Sequence, residues 1–434
     1  MLTLVDSPRM ASIRPFTGLR YAAETGDIDT LTAPPYDVLS PAERDAYAAR
    51  NPHNVVHMTL PEQKSDDRSK YIKYARSAAL LTAWRQEGAL VKEAKPAFYR
   101  YTQHFYLPGT PEAFSRTSII ALIKVEPYDA GVVLPHEQTF PKHKEDRMRI
   151  LEATRAHLEC IFGLYEDPNG DVLKAILSAP SDSIVHTKSD DGVSQDLEPI
   201  TEAAAISQLV GLLADKKVWI ADGHHRYETA LAFRQNLGEK DGLIPEDFMM
   251  MALCSITDPG LVLLPTHRIL RSLSLSQEEV ILRLSEAFSL EEMPNAQLMS
   301  HIEKLHLDGT RAFGLAFPGG LGYVLTEKES GCLLALNTTE ESHSLKDLDV
   351  TILHRVILEK LLNVVGLEQI SYTRDAAEAV EAVEAGAAAS FLMNPPSVLD
   401  MQNIAMGGEK MPQKSTYYYP KILSGLVIWS LNDF

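Results

Sequence analysis

Five consecutive residues near the middle of the chain, Asp222-Gly223-His224-His225-Arg226, combine an acid, a glycine, two imidazoles and a guanidinium. Gly223 lets the backbone approach a ligand closely, and Asp222 is predicted to cap the first turn of a helix. The free N–H groups of such a turn bind anions, and the three basic side chains would reinforce that binding. The segment therefore predicts an anion site, and phosphate is the anion that suits it best.

The elements on either side place this segment at the end of a strand. The apolar run from Val218 to Ala221 predicts a buried strand, and the run from Tyr227 to Leu237 is compatible with a helix, so residues 222–226 are predicted to form the turn. A solvated surface turn is the alternative interpretation. Neighbouring histidines on a helix point about 100° apart, which argues against one metal ion held by this pair alone.

Two further polar segments follow prolines. Tyr36 and Asp37 come after two prolines that hold the chain extended, so they are predicted to lie on a rigid loop. His136 and Glu137 start like a zinc-protease motif, but that motif needs a second histidine where this chain has Phe140, so it is excluded. Glu137 is predicted to be a general base or a metal-binding carboxylate, with a surface glutamate as the alternative.

Three more segments carry groups that suit an anionic ligand. Thr266-His267-Arg268 is predicted to follow the end of a buried strand and to line the same cleft as Asp222. Lys414-Ser415-Thr416, next to three tyrosines and after two glycines, is predicted to close over a ligand, with an ordinary loop as the alternative. The basic residues between Lys142 and Arg147 are predicted to form an exposed helix start.

Length and pattern indicate two domains. A chain of 434 residues exceeds what one hydrophobic core usually supports. The pattern changes near Ser272, after which helices and strands alternate. We therefore predict a mixed α/β (α+β) protein with an N-terminal ligand-binding domain at 11–271 and a second α/β domain at 272–434.

Composition limits the classes of function. The chain is 45% hydrophobic and 23% charged, which is typical of globular proteins. Its net charge of −18 disfavours binding to nucleic acid or anionic membranes.

The cysteines and the apolar runs bear on the compartment. Three distant cysteines predict a reducing compartment. The sequence has no run of about 18 apolar residues that would predict a membrane span, so a cytoplasmic protein is expected. Neither a P-loop nor the Rossmann fingerprint is present, so any nucleotide must be held another way.

Motifs spread over nearly the whole chain resemble a prokaryotic family known as domain of unknown function 1015. They are Ile13-Arg14-Pro15-Phe16, Ala33-Pro34-Pro35-Tyr36-Asp37-Val38, Asn51-Pro52, Pro135-His136-Glu137-Gln138-Thr139, Ala221-Asp222-Gly223-His224-His225-Arg226-Tyr227, Leu264-Pro265-Thr266-His267-Arg268 and Met411-Pro412-Gln413-Lys414-Ser415-Thr416. The family name conveys no activity.

A second resemblance covers the central loop and Arg14-Pro15 near the N-terminus. The strand, the Asp222–Arg226 loop and the following helix are similar to the ligand loop of the ParB/sulfiredoxin fold, which includes free-serine kinases. This resemblance implies a ParB/sulfiredoxin-like core, from which the long β-rich insert between Arg14 and Asp222 departs. The tail of the second domain is predicted to close over the site. The resemblance also implies that the protein binds ATP or ADP and Mg²⁺.

The same resemblance implies roles for individual residues. Asp222 would assist Mg²⁺ or the acceptor hydroxyl, and Glu137 or Asp37 would be the base. Residues implied to bind the nucleotide are Gly223, His224, His225, Arg226, His267, Arg268, Lys414, Ser415 and Thr416, and those implied to bind the substrate are Tyr36, His136 and Arg14.

The expected function is nucleotide-dependent phosphoryl transfer to a small hydroxyl compound, with free L-serine as the leading substrate. Positioning of the reacting oxygens and neutralisation of charge carry most of such a reaction, and the central loop supplies groups for both. The alternatives are a nucleotide-binding regulator without turnover and a phosphatase that uses the same anion pocket. The sequence leaves open whether the protein is a homodimer.

Overall fold

Apolar runs of the sequence form the buried strands. All eight residues of Phe248–Ser255 and all five of Ile161–Tyr165 are buried, and both segments are strands. In the computed structural model, the described residues are 11–107, 111–137, 141–328, 340–366, 369–412 and 414–434, without the side chains of 141–143. The side chains of Lys142 and His143 therefore lie outside the described residues.

The strands and helices are numbered in chain order. The strands are β1 Ile13–Arg14, β2 Leu19–Tyr21, β3 Leu90–Lys92, β4 Phe98–Tyr106, β5 Ala113–Lys124, β6 Val133–Leu134, β7 Ala156–His157, β8 Ile161–Tyr165, β9 Val185–Lys188, β10 Ser194–Ile200, β11 Val218–Asp222, β12 Phe248–Ser255, β13 Val262–Leu263, β14 His267–Leu270, β15 Phe288–Pro294, β16 Ala312–Ala316, β17 Leu321–Glu327, β18 Ile370–Thr373, β19 Ala389–Leu392, β20 Tyr418–Tyr419 and β21 Trp429–Ser430. The helices are α1 Ile28–Leu31, α2 Pro41–Arg50, α3 Val56–Thr59, α4 Ile72–Gln86, α5 Pro141–Thr154, α6 Asp171–Ser178, α7 Ala203–Leu213, α8 His224–Asn236, α9 Gln277–Leu284, α10 Leu298–Leu307, α11 His343–Lys346, α12 Asp349–Thr351, a π-helix Ile352–Leu361, α13 Ala376–Glu384 and α14 Val398–Met406.

Contacts along the chain define two units. The first contains residues 1–135, 139–262 and 420–434, and the second contains residues 136–138 and 263–419. The chain thus leaves the first unit near residue 262 and returns to it at Pro420. The domain boundary predicted between residues 271 and 272 stays a prediction.

A mixed sheet forms the centre of the first unit. Within the described residues its strand order is β6-β11-β8-β12-β5-β4-β10-β9, with β1 paired to β5. β8 runs parallel to β12, whereas β11 runs antiparallel to β8 and parallel to β6. The predicted mixed α/β class is therefore confirmed, and the ParB/sulfiredoxin-like core stays a prediction.

The second unit has its own sheet, with the order β15-β17-β16-β19-β14-β18 in the part of the chain that is described. Helix α9 stops at Leu284, and Phe288–Pro294 is an edge strand. Its burial is irregular, because Phe288 and Met293 are buried five positions apart, whereas Glu291 and Glu292 between them are exposed. A period of two would place Phe288 and Met293 on opposite faces, so no regular alternation marks this strand in the sequence.

Helix α8 is fixed against the sheet by apolar contacts. Val218 and Ile220 of β11 share a core with Tyr227 and Ala230 of α8. The hydroxyl of Tyr227 donates to the carbonyl of Glu126 at 2.7 Å, which adds a polar contact to this packing. The buried strand and the anchored helix together fix the junction between them. Residues 222–226 span this junction.

Candidate functional site

The connection between β11 and α8 is a single glycine. β11 ends at Asp222 and α8 begins at His224, so the predicted five-residue turn and the helix start at Tyr227 are wrong. Gly223 has φ +95°, and a Cβ there would lie 2.6 Å from Cγ2 of Ile161. Both facts require glycine, because other residues disfavour this φ and the space is filled. The backbone therefore turns directly from strand to helix.

A β-bulge precedes the acid. On β8, Ile220 pairs with Gly163 and Asp222 pairs with Phe162, so Ala221 is an extra residue between two consecutive pairs. Bulges bend a strand and redirect its side chains, and they are common beside active sites. Here the bulge sets the direction of the Asp222 carboxylate.

The Asp222 carboxylate lies among cations. Its Oδ2 accepts a hydrogen bond from Nζ of Lys421 at 2.6 Å, and its Oδ1 is 4.0 Å from the Arg226 guanidinium. Burial alone would raise the pKa of Asp222, but Lys421, Arg226 and His224 together hold this pKa well below its usual range. The predicted cap is wrong, since the N-cap of α8 is Gly223 and no side chain caps it. Asp222 is thus an ionised group.

Glu159 joins three segments of the first unit below this strand end. Its side chain is only 5% exposed and lies 3.6 Å from Arg147. Its Oε1 accepts hydrogen bonds from the backbone N–H of Tyr36 at 3.0 Å and from the hydroxyl of Ser424 at 3.1 Å. The next carbonyl, that of Cys160, accepts a hydrogen bond from Arg226 at 2.7 Å. These contacts fix the loop of residue 36 and the segment of residue 424 beside Arg226.

Tyr36 contacts both guanidinium groups. Its ring centroid is 3.8 Å from the guanidinium carbon of Arg147 and 5.8 Å from that of Arg226. Burial and the neighbouring Asp37 raise the pKa of the Tyr36 hydroxyl, so it stays protonated and can donate a hydrogen bond. Arg147 is 6% exposed, which corrects the prediction that it belongs to an exposed helix start. Lys144 from the same segment pairs with Glu228.

Asp37 is the exposed acid of this cluster. Burial tends to lower the pKa of Arg226, but the nearby acids Glu159, Asp37 and Asp222 outweigh burial and raise this pKa above its usual value. The guanidinium is therefore permanently charged. Arg14 has a different environment. It is exposed on β1, and its guanidinium lies 5.3 Å from the ring centroids of Phe248 and Phe434. Its predicted role in substrate binding stays a prediction.

The two histidines of α8 differ in exposure. His224 is 5% exposed and contributes to the low pKa of Asp222, whereas His225 is half-buried. The carbonyl of His225 accepts a hydrogen bond from the Thr229 hydroxyl at 2.7 Å. The first helical turn therefore carries one buried and one more accessible imidazole.

A cavity of about 50 Å³ lies behind Arg226. Its polar lining residues are Arg147, His157, Glu159, Arg226 and Thr229. The Nε–H of Arg226 is buried and finds no acceptor among the residues that the structure describes. A space of this size holds a few water molecules, so it suits hydration of the charged groups.

The second unit contains a separate polar cluster. The Oε1 atom of Glu137 accepts the backbone N–H of Lys414 at 2.6 Å, and the His136 ring forms a hydrogen bond with the Thr416 hydroxyl at 2.9 Å. Lys414 has φ +58°, a left-handed conformation that is uncommon outside glycine. The hydroxyl of Ser415 donates to the carbonyl of Pro412. Glu137 thus holds the segment around Lys414.

Residues 266–268 do not form a turn at the end of a buried strand. The preceding strand β13 is only half-buried, and His267 and Arg268 belong to β14 itself and are each 1% exposed, which corrects the prediction. Burial lowers the pKa of His267 to about 4 and that of Arg268 to about 10. Arg268 donates to the carbonyl of Lys414 at 3.1 Å and to that of Thr266. Through these two hydrogen bonds, Arg268 holds the backbone at Thr266 and at Lys414.

The structure therefore sorts the predicted site residues into two groups. Asp222, Gly223, His224, Arg226 and Tyr36 come together in the first unit, with Asp37 and His225 beside them. The second group, in the second unit, comprises His136, Glu137, His267, Arg268, Lys414, Ser415 and Thr416. One cleft shared by both groups stays a prediction.

Two residues of the first group were missed from the sequence. Lys421 is 199 positions from Asp222, and Glu159 lies just before a segment predicted only as a strand. Neither carries a local motif. The one sequence signal for Lys421 is its position five residues after Thr416, close to the predicted Lys414-Ser415-Thr416 segment.

The surroundings of Asp222 do not fit the predicted Mg²⁺ site. Its carboxylate is engaged by the Lys421 ammonium and lies beside a guanidinium, which repel a divalent cation. Across the described ranges, no group of three or more His, Cys, Asp or Glu side chains could hold a metal ion. No step below is assigned to Mg²⁺.

The protein has a mixed α/β fold, with an ionised acid at the end of a strand and directly before the N-terminus of a helix. The chain belongs to the family described as "Protein of unknown function (DUF1015)", which matches residues 13–351 and confirms the first resemblance. No curated protein sequence matches significantly. In the described part of the chain, no helix is long and apolar enough to cross a membrane.

Several solved structures are similar to this chain. A free serine kinase variant in complex with ADP is 13% identical, with a TM-score of 0.39 over 76% of this chain and 99% of its own. A conserved hypothetical protein from Pyrococcus furiosus is 14% identical, with a TM-score of 0.36 over 73% of this chain and 97% of its own. C-terminally truncated SbnI from Staphylococcus aureus is 12% identical, with a TM-score of 0.34 over 70% and 85%. At these TM-scores the likeness carries no argument about activity.

Proposed function

We propose that this protein transfers a phosphoryl group from a nucleotide to a small hydroxyl compound, with free L-serine as the first candidate acceptor. One observation carries the proposal: an ionised Asp222 lies one residue before the N-terminus of α8, whose first turn bears His224, His225 and Arg226. An acid that orients a hydroxyl and an anion-binding helix start are the two groups that this reaction needs at adjacent positions.

The phosphate would bind at the first turn of α8. The N-terminus of a helix favours an anion, and the guanidinium of Arg226 is already fixed by the Cys160 carbonyl and the Tyr36 ring. The anion need not be large. A phosphoryl group held by the backbone and one oriented guanidinium is positioned without further rearrangement of the protein.

Asp222 would orient the acceptor hydroxyl. In the reaction, the hydroxyl oxygen attacks the terminal phosphorus, the bond from phosphorus to the bridging oxygen breaks, and the departing nucleotide keeps the electron pair. Asp222 accepts the proton of the hydroxyl. Phosphoryl transfer asks little covalent chemistry of the protein, so the low pKa of this acid is compatible with the role.

Asp37 is the second candidate for the base. It is exposed, and it is close enough to Arg226 to affect the pKa of that residue. Glu137, the other sequence candidate, is engaged by the Lys414 backbone in the second unit. We therefore assign Glu137 to holding the backbone at Lys414. The nucleotide-binding role of Lys414, Ser415 and Thr416 stays a prediction.

Direct product detection tests the proposal. Purified protein is incubated with L-serine and either ATP or ADP, and ³¹P NMR is used to follow a new phosphomonoester signal that coincides with added phosphoserine. A matched reaction with L-alanine, which lacks the hydroxyl, is expected to give none. If neither nucleotide yields a product from serine or from a panel of small alcohols, the proposal fails.

A nucleotide-binding regulator without turnover is the second candidate. The observation in its favour is that Lys421 engages Asp222 directly, which holds the acid in a stable ion pair. This candidate predicts that calorimetry detects nucleotide binding while no product forms. Release of phosphate from phosphoserine without nucleotide would instead indicate a phosphatase.

A further inference from the structure

The segment from Pro420 to Ser424 is held along its length by buried polar groups of the same unit. The carbonyl of Pro420 accepts a hydrogen bond from Arg116 of β5, and that of Lys421 accepts one from Gln103 of β4 at 2.9 Å. The backbone N–H of Leu423 donates to the hydroxyl of Tyr101 at 3.3 Å. Arg116, Gln103 and Tyr101 are fully buried, so the segment rests on a rigid polar surface.

The other end of the segment is tied to the loop that carries Tyr36. Ser424 exchanges two backbone hydrogen bonds with Ala33, at 2.9 and 3.2 Å, and its hydroxyl donates to Glu159. Glu159 in turn accepts the backbone N–H of Tyr36. Residues 420–424 are therefore fixed between the strands and the site loop, rather than lying loosely on the surface.

This arrangement directs the Lys421 side chain at Asp222. The side chain is only 15% exposed, and its ammonium lies 2.6 Å from Oδ2 of Asp222. A lysine placed only for solubility would be exposed, because its charge is strongly hydrated. The segment is anchored at both ends, and it holds the Lys421 ammonium against the Asp222 carboxylate. These contacts indicate that the position of this charge matters for the site.

We propose that Lys421 is a positioning residue of the phosphoryl-transfer site, which holds Asp222 ionised and aimed at the acceptor and supplies the positive charge that lets a phosphate bind beside that acid. The inference rests on the proposed function and adds a residue to it. Without Lys421, a bound phosphate and Asp222 would repel each other across a short distance, and the pKa of the acid would rise.

The groups that face Asp222 come from three elements. They are Lys421 from the 420–424 segment, Arg226 and His224 from α8, and Arg116 from β5. Lys421 is in direct hydrogen-bond contact with the acid, and it has the largest lowering effect on the pKa of Asp222. Arg226 and Arg116 each donate a hydrogen bond to a backbone carbonyl. Replacing Lys421 therefore removes one positive charge near Asp222 and leaves these two guanidinium groups in place.

The test compares Lys421→Met, which removes the charge and keeps most of the stem, with Lys421→Arg, which retains the charge. Lys188→Met is the control, because Lys188 is exposed on β9 of the same unit. The Asp222 carboxyl signal is assigned by its absence from Asp222→Asn, and its titration is followed by ¹³C NMR in the free protein. Lys421→Met is expected to raise the Asp222 pKa by about one to three units, and Lys421→Arg by less. Unchanged titration in Lys421→Met would overturn the inference.

Binding and kinetics provide the second readout. Lys421→Met is expected to weaken binding of ADP and of inorganic phosphate about tenfold or more by calorimetry, and to move the acidic limb of the kcat/KM profile to higher pH. Lys188→Met should match wild type in both measurements. A purely structural role for Lys421 would lower thermal stability without moving the pH limb, and this outcome would also overturn the inference.

The two proposals fail separately. If wild-type protein forms no product, the proposed function fails, and the titration of Asp222 with and without inorganic phosphate still decides the role of Lys421. If wild type is active and Lys421→Met has the wild-type pH profile and phosphate affinity, only the inference fails. If Lys421→Met does not fold, the comparison of Lys421→Gln with Lys421→Arg replaces it.

Discussion

The Oε1 atom of Glu159 accepts the backbone N–H of Tyr36 at 3.0 Å, and through this contact a buried acid fixes the loop that covers Arg226. The same acid lies 3.6 Å from Arg147, and both side chains of that pair are nearly inaccessible to solvent. Removing one partner of a buried ion pair leaves the other charge without compensation. The stability of the site loop therefore depends on Glu159.

We expect Glu159→Ala to lower the free energy of unfolding by about 3 kcal/mol, as is typical when one partner of a buried pair is lost. Urea denaturation followed by circular dichroism measures this change. Glu152→Ala is the control, because Arg149 and Glu152 form a pair whose side chains are 43% and 40% exposed. An exposed pair of this kind contributes about 0.5 kcal/mol or less. Equal effects of the two substitutions would contradict a central role for Glu159.

Asp222→Asn is expected to lower kcat on the order of 10²- to 10⁴-fold, because the amide cannot accept the hydroxyl proton. The phosphoserine assay measures the change, with circular dichroism to check the fold. Asp247→Asn is a matched control, since Asp247 is a buried acid that pairs with Arg234 at the other end of α8. We expect this control to lose stability and to keep its kcat. A fully active Asp222→Asn protein would exclude Asp222 from the chemistry.

Asp146 gives the fold a defined dependence on acid. Burial alone would raise its pKa, but Arg147, Tyr74 and Lys73 lower it from 3.8 to about 2. Because the folded-state pKa is depressed, the stabilisation is present above pH 3.8 and is lost as the pH falls through about 2. The side chain is about one third exposed, so solvent screening limits its contribution to about 1 kcal/mol.

The measurement compares wild type with Asp146→Asn in urea at several pH values. We expect the difference in unfolding free energy to be present at pH 7 and to shrink as the pH approaches about 2. Asp45→Asn should show a small difference throughout, because the Asp45 side chain is 71% exposed. A difference between wild type and Asp146→Asn that grows toward low pH would contradict the assigned sign.

Arg268→Met is expected to release the 412–416 loop. It removes the hydrogen bond to the Lys414 carbonyl, and a hydrogen bond from a charged group contributes about 1.5–3 kcal/mol. Hydrogen exchange at the Lys414 amide, which donates to Glu137, should accelerate about ten- to hundredfold. Arg271→Met is the control, because Arg271 follows the same strand and contacts Ser371 rather than the loop. Unchanged exchange in Arg268→Met would show that the loop is held by other contacts.

The sequence predicted the frame of the site well because that frame depends on local patterns. The strand before Asp222 and the helix after it are found in the structure, since an apolar run and a helix-compatible run each specify one element. The length of the turn was wrong because a glycine with positive φ changes direction within one residue. The bulge at Ala221 has no sequence signal of its own.

Long-range electrostatics could not be predicted from the same patterns. Lys421 and Asp222 are 199 positions apart, and nothing local indicates that the chain returns to the first unit after residue 419. Arg147 was placed on an exposed helix start because a run of charges usually faces solvent. Its burial depends on Glu159 and Tyr36, which come from other segments.

The return of the chain at Pro420 has a consequence for biosynthesis. The strand, the acid and the helix of the first unit are translated before residues 263–419 of the second unit, whereas Lys421 and β21, which pairs with β7, are translated after them. A nascent chain that stops before residue 420 carries the acid without the ammonium that balances it. Lys421 is therefore synthesised only after residues 263–419. A product truncated before residue 420 would lack this part of the site.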